Sequence, residues 1–489
     1  MSVRSSRHHQ IPTAPAKTDT DSDARHQFHS HGMPQKPAEL TWRDYLIMLL
    51  HIGAELEQSL MVQYLYSAYS LGGDDARERE QQVKEWRDAI IGVAKEEMGH
   101  LLTVQNVLCL LGGPISFERE DYPWDTPYYP FKFALEPLSQ QSLAKYVYAE
   151  MPGDVGKNPA DIQVVADVHT MLNKDPGHPV GEIYDLIIEI ISDPEKIPDS
   201  DFNADSYGIQ ASFDDWGRGY RQAPLPPHAK STDAKSRPDA KGTRLIIQQM
   251  ATRTEAIAAL RDVAGQGESL HGPKDPGEPS HFDRFAKVFS ELKNIQDENK
   301  NWDPARMVPT NPAISDPSKF IEDQTCIKAE PSRTWASLFN VRYRMLLTYL
   351  SHTFSLQREN DNALDPLRPA IMSKVFGEMY NLKAIAGILV RLPLNADPND
   401  PHRAGPTFQM PYTLTLPSSE VDIWRQHLDL VRASQELTRE LLHKKKNNLK
   451  HAPPDGKKYL LALADLDDLS EQYINHVLVG LRPIRRSAK

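Results

Sequence analysis

Apolar residues recur at helical spacing through nearly all of the chain, and the breaks between these runs mark its elements. TWRDYLIMLLHIGAELEQSLMVQYLYSAYSL predicts a long helix, with Thr41 as its N-cap and Gly72-Gly73 as its stop. A second helix is predicted from about Glu78 to Leu111, ended by Gly112-Gly113-Pro114. Residues 115–243 read as a long insertion. It holds short helical stretches, SQQSLAKYVYAEM and VGEIYDLIIEII, among proline- and glycine-rich turns. One or two short strands are expected in DFNADSYGIQASFDDWGRGY, followed by an exposed loop, PLPPHAKSTDAKSRPDAKG. A third helix is predicted from about Thr243 to Ser269, and a fourth from Ser280.

Beyond about Asn301 the pattern turns proline-rich and then helical again. RTWASLFNVRYRMLLTYLSHTFSL, LRPAIMSKVFGEMYNLKAIAGILVRL, VDIWRQHLDLVRASQELTRELLHKKKN and YLLALADLDDLSEQYINHVLVGL are four amphipathic patterns. No repeat of solenoid length is present. The expected architecture is mainly α: a tail over 1–38, a helix bundle over 39–300 with its insertion at 115–243, and a helical region over 301–489.

Within those stripes lie side chains that do not belong in an apolar core. Glu57 shares a face with Leu60, Met61 and Tyr64, whereas Glu55 aligns with Gln58 and Ser59. In the second helix Trp86, Ile90, Val93, Glu97, His100, Leu101 and Val104 form one stripe. Glu97 and His100, three apart, reach one point above it. Glu96 falls to the side with Gly92 and Gly99, and Gly99 would permit close approach of a neighbour. In the third helix Glu268 follows Ile257, Leu260 and Ala264. In the fourth His281 aligns with Phe285, Val288, Phe289 and Leu292, just after the cap Ser280.

A single inward Glu or His is usually a satisfied core residue. Four helices each offering one is a different matter, and no Arg or Lys on the same stripes makes a buried ion-pair network of them. A shared cation is the simplest partner, and Glu with His suits iron, manganese or zinc. Tyr64, on the face of Glu57, is a candidate catalytic residue, hydrogen-bonding a ligand or substrate, with packing as the plainer role.

The segments ELEQSLMVQYLYSAYSL, AKEEMGHLLTVQNVLCLLGG, GQGES, SHFDRF and AGPTFQMP resemble the ferritin-like family of iminophenyl-pyruvate dimer synthase domains. That family includes parts of the enzymes that couple oxidised tryptophan imines in violacein and rebeccamycin biosynthesis. The resemblance covers most of residues 40–300 and, more loosely, the helices to about 415. It implies a ferritin-like four-helix bundle with Glu57, Glu97, His100, Glu268 and His281 at the metal-ligand positions. It also implies iron, with manganese as an alternative, in secondary metabolism. A ferritin-like di-iron pattern has a second Glu-x-x-His. Here Glu278 completes that spelling with His281, but Pro279 and Ser280 place it ahead of the helix, so a mononuclear and a dinuclear site both stay open.

Composition narrows the partners. The formal charge of −11 argues against nucleic acid. No run of eighteen apolar residues suggests a membrane span. Two cysteines, Cys109 and Cys326, make no disulfide framework, so a cytoplasmic protein is expected. The N-terminal MSVRSSRHHQIPTAPAK, followed by DTDSDA and by His26, His29 and His31, reads as a disordered tail. The expected activity is that of a non-haem metal oxidase or oxygenase acting with dioxygen on a small amino-acid-derived metabolite. The competing class is a metal-binding protein without turnover, handling iron or held by a structural metal. A homo-oligomer is left open, as are the substrate and any haem.

Overall fold

A computed structural model describes residues 35–481, apart from 127, 153–157, 174–179, 218–220, 223–243, 268–278, 315–324, 357–366 and 444–453. It divides into two compact units, Met1–Ala305 and Arg306–Lys489. Helix α1, Trp42–Ser70, opens with a capping box in which the Thr41 hydroxyl accepts from the Asp44 amide and Asp44 reaches back to Thr41. Helix α2, Glu80–Leu110, closes on Gly112, whose φ of 63° only glycine adopts without strain. The two helices run antiparallel: Arg43 at the start of α1 donates to the Leu111 carbonyl after α2, and Arg87 near the start of α2 donates to the Leu71 carbonyl after α1. By length and composition alone α1 would pass for a bilayer span, as a buried core helix can. Of its most apolar window 72% is buried against the rest of the structure.

What reads as an insertion supplies part of the bundle. Helix α3, Gln140–Ala149, is followed by α4, Pro159–Leu172, and α5, Gly181–Ser192. The expected strands in 201–220 are instead two helical turns, at Ala204–Gly208 and at α6, Phe213–Trp216. Asn203 caps the first and Ser212 the second, each through its side chain. A two-residue strand β1, Arg221–Gln222, pairs in parallel with β2, Arg244–Leu245. The third predicted helix therefore begins late, as α7, Arg253–Gly267, because residues 244–250 form a non-helical segment against α2. Thr103 of α2 donates to the Ile246 carbonyl, and Asn106 donates to the carbonyls of Ala211 and Gln248. Helix α8, His281–Glu298, starts with a second capping box, Ser280 with Asp283. It packs antiparallel on α3: Gln140 meets Gln296 at one end and Glu150 meets His281 at the other. Helix α5 packs on both α1 and α7.

The second unit holds α9, Ser332–Thr353, α10, Leu367–Leu389, α11, Glu420–His443, and α12, Pro454–Gly480. A two-residue parallel pair, β3 Ala313–Ile314 with β4 Cys326–Ile327, precedes them. All four helices meet at buried Arg342 of α9, whose guanidinium donates to Glu378 of α10 at 3.0 Å and to Asp467 of α12 at 2.5 Å. Ser434 of α11 donates to Asp467 as well.

Candidate metal centre

Five titratable side chains of the first unit meet where the apolar stripes of α1, α2 and α8 converge with the end of α3. They are Glu57, Glu97, His100, Glu150 and His281, each no more than 3% exposed. Glu97 lies at the middle. Its Oε2 is 2.9 Å from His100 Nδ1, which is also 3.5 Å from Glu57 Oε2. Its Oε1 is 3.0 Å from His281 Nδ1, which is also 3.4 Å from Glu150 Oε2. Two triads result, Glu57–Glu97–His100 and Glu97–Glu150–His281. In each the potential ligand atoms lie within 4.8 Å of one another, and Glu97 belongs to both.

Of the sequence candidates, Glu57, Glu97, His100 and His281 are thus brought together. Glu268 lies outside the described residues, as does Glu278. Glu150 was not among the candidates. It caps the C-terminus of α3, a ten-residue helix inside the apparent insertion. Its signal was faint: it falls at i+4 from Tyr146 on the buried side of YVYAEM, one glutamate in a short run. Tyr64 does sit at the cluster, where its hydroxyl donates to Glu150. Tyr184 of α5 does the same for Glu57. Each outer carboxylate is therefore held by one tyrosine, and Tyr64 is itself packed against Tyr146 and Phe285.

Other polar side chains have separate work. Glu55 accepts from the Glu120 amide. Glu255 caps α7 by accepting from the amides of Ala251 and Thr252. Arg342, Tyr343 and His352 are core residues of the second unit.

The ring nitrogens are oriented from behind. His281 Nε2 is 2.9 Å from Glu96 Oε2, and Glu96 is also paired with Arg284 at 3.0 Å. An ionised carboxylate only accepts, so His281 donates from Nε2 and aims Nδ1 at Glu97 and Glu150. His100 Nε2 is 3.0 Å from Gln266 Oε1, while Gln266 Nε2 donates to the Arg244 carbonyl. That second bond sets the amide orientation, so His100 also donates from Nε2 and presents Nδ1 inward. Gly99 allows the close packing behind this site. A Cβ there would lie 2.9 Å from the Ile246 carbonyl oxygen. The approaching group is non-helical backbone, where the sequence suggested a helix.

Electrostatics favour a cation. Burial pushes the Glu57 carboxyl up, to about 7, with the Glu97 charge adding to it. Burial alone would lower His100, but Glu57 and Glu97 outweigh it and hold its pKa at about 10. Burial likewise opposes a charged His281, yet Glu97 and Glu150 raise it well above its ordinary value. Protons on the imidazoles thus balance the carboxylates when nothing else does. Two buried atoms, Glu97 Oε1 and His281 Nδ1, have no hydrogen-bond partner although they face each other. Two such orphaned atoms, within a buried cluster of three carboxylates and two imidazoles, fit a metal ion of the iron or manganese type. A cleft opens beside the cluster, lined by Glu57, Glu97, His100, Glu150, Tyr184, Val263 and Ala264. Its water-accessible volume is about 20 Å³, enough for about one water-sized ligand.

Comparison with known proteins agrees with this architecture. Residues 50–290 match the family described as Ferritin-like. The chain is 24% identical over 405 residues to dichlorochromopyrrolate synthase of Lentzea aerocolonigenes, covering 76% of this chain and 36% of that protein. It is 30% identical over 171 residues to 2-imino-3-(indol-3-yl)propanoate dimerase of Chromobacterium violaceum, covering 29% of this chain and 16% of that protein. The matches thus span about a third of the first relative's length and about a sixth of the second's. A solved ferritin-like protein from Caulobacter vibrioides is similar at 14% identity and a TM-score of 0.40, covering 72% of this chain and 98% of that one.

Proposed function

On the premise that residues 50–290 form a ferritin-like domain, we propose that the chain is a non-haem metalloenzyme. In this reading it oxidises a small amino-acid-derived metabolite, an imino acid among them, at a centre of one or two irons, with manganese as the alternative. The observation that carries this reading is Glu97, one carboxylate shared by two complete triads. That arrangement would let Glu97 serve two metal ions, with Glu57 and His100 holding one and Glu150 and His281 the other. Iron bound there supplies the redox couple through which dioxygen is reduced. The relatives' names supply the substrate class, since one is a dimerase of an indolyl imino acid.

The chain's own residues have defined roles in such a reaction. Glu57, Glu97 and Glu150 would hold and neutralise the cations, and His100 and His281 would offer Nδ1 to them. Tyr64 and Tyr184 hold the outer carboxylates by donating to them. Tyr64 keeps its proton at neutral pH where it is placed: burial first, then the Glu150 charge, puts its hydroxyl well above the usual pKa. The apolar walls Leu60, Val180, Val263 and Ala264 exclude bulk water from the open side.

A second reading, metal handling without turnover of an organic substrate, draws on the size of the cleft, which among the described residues admits about one water. One experiment separates the two. The metal-free protein is reconstituted anaerobically with Fe(II), its metal counted, and oxygen uptake followed with and without aromatic imino acids generated in place. Up to two irons per chain, lost in Glu97→Ala, with uptake that depends on the imino acid, is the expected result. Uptake that depends on Fe(II) alone supports metal handling. No iron bound by the wild-type chain overturns both readings.

A further inference from the structure

The two triads differ in what stands behind their histidines, and in which of them faces the cleft. His281 rests on Glu96, an ionised carboxylate paired with Arg284. His100 rests on Gln266, a neutral amide tied to the Arg244 carbonyl. A carboxylate accepting the remote N–H of a ligating imidazole draws the proton toward itself and makes the other nitrogen a stronger donor. An amide does so far less. Other support is even, since each outer carboxylate takes one tyrosine hydroxyl. Access is uneven. The cleft is lined by Glu57, Glu97, His100 and Glu150, while His281 is fully buried and does not border it. Helix α7 contributes both Gln266 and the cleft wall at Val263, Ala264 and Gly267.

We infer that the two positions are inequivalent. The Glu97–Glu150–His281 position, backed by Glu96, fills first and retains its metal, and the Glu57–Glu97–His100 position, backed by Gln266, is the weaker and exchangeable one, open to dioxygen and substrate. This inference rests on the dinuclear form of the function proposed above. It assigns Glu96 and Gln266 as positioning residues that set the order of loading, and it does not require that turnover be known.

Titration of the metal-free full-length chain with Co(II) tests it, followed by calorimetry and by the visible absorption of the bound ion. Wild type is expected to bind two equivalents in two steps at least tenfold apart. Removing an outer-shell partner changes metal affinity by roughly 10–100-fold. Glu96→Gln should therefore weaken the tight step by that factor and leave the weak step, bringing the two together. Gln266→Glu should tighten the weak step and narrow the gap from the other side. Thermal melts of each metal-free variant show whether it has folded, and Gln266→Glu alone decides the matter if Glu96→Gln does not fold. Two equal steps in wild type, or a Glu96→Gln change confined to the weak step, would overturn the inference while leaving a dinuclear centre in place. Failure to bind a second equivalent, or any uptake that survives Glu97→Ala, would overturn the dinuclear reading itself.

Discussion

At the scale of single residues, the site depends on atoms that the sequence pattern ranks very differently. Glu150 is one oxygen donor among five side chains, and its loss removes a third of one triad. Glu150→Gln is expected to lower the metal content by about one equivalent under conditions that saturate the wild type, read by elemental analysis. Tyr64→Phe keeps the ring packing but removes the hydroxyl that holds Glu150. The expected result is about a tenfold weaker affinity with the stoichiometry unchanged, the usual scale for an outer-shell contact. Gly99 has no chemistry, but its missing Cβ makes room for the Ile246 carbonyl. Because backbone cannot swing away as a side chain tip can, Gly99→Ala should cost about 1–3 kcal/mol, measured by denaturant unfolding. The inward position of Glu57, Glu97, His100 and His281 was legible in sequence because each rides an apolar stripe of a long helix, so its direction follows from 3.6-residue periodicity. Glu150, Gln266 and Tyr184 sit on or beside shorter helices, where the stripe is too brief to tell a turned-in polar residue from a solvated one.

Among the elements, capping residues set the boundaries that could be read ahead of the structure. Thr41 and Ser280 each close a capping box, and glycines follow α1 and α2. Helix α3 shows the limit of that reading. It looks like a fragment of an insertion, yet it lies antiparallel on α8 and delivers Glu150 beside His281. Periodicity reports which face of a helix is apolar, not which partner covers it. The same holds for Arg342, Glu378 and Asp467. On three separate helices they read as unrelated charges, and together they form a buried ion cluster. Breaking a buried pair from one side leaves an uncompensated charge, so Arg342→Met is expected to cost about 3–5 kcal/mol. The triple change Arg342→Met, Glu378→Gln, Asp467→Leu should regain most of that, and denaturant titration of the full chain checks both.

For the molecule as a whole, a buried histidine pair in the second unit makes stability depend on acid pH. His352 Nδ1 lies 2.9 Å from His427 Nε2, and His352 Nε2 lies 3.0 Å from Glu420. Burial first, then the His352 and Lys374 charges, hold His427 well below its ordinary pKa of 6.5. The folded state therefore stays unprotonated at His427 where the unfolded chain binds a proton. Stability from this group is complete above pH 6.5 and falls as the pH drops below it, by up to about 1.4 kcal/mol per pH unit. Denaturant unfolding at pH 7.5 and 5.5 should show this loss in wild type and a smaller loss in His427→Gln. An equal loss in both proteins would remove His427 as the cause.

By itself the sequence determined the helical character, the limits of the longest helices and four inward-facing metal-type side chains, because propensity, capping and periodicity are local properties of consecutive residues. Tertiary structure alone decided that Glu97 stands between two triads, that Glu150 completes the second, and that Glu96 and Gln266 back the two imidazoles differently. Those relations join residues 40 to 185 positions apart, through the packing of α3, α7 and α8 on α1 and α2. No local pattern encodes a distance between side chains that are brought together only when the apolar faces close on one another.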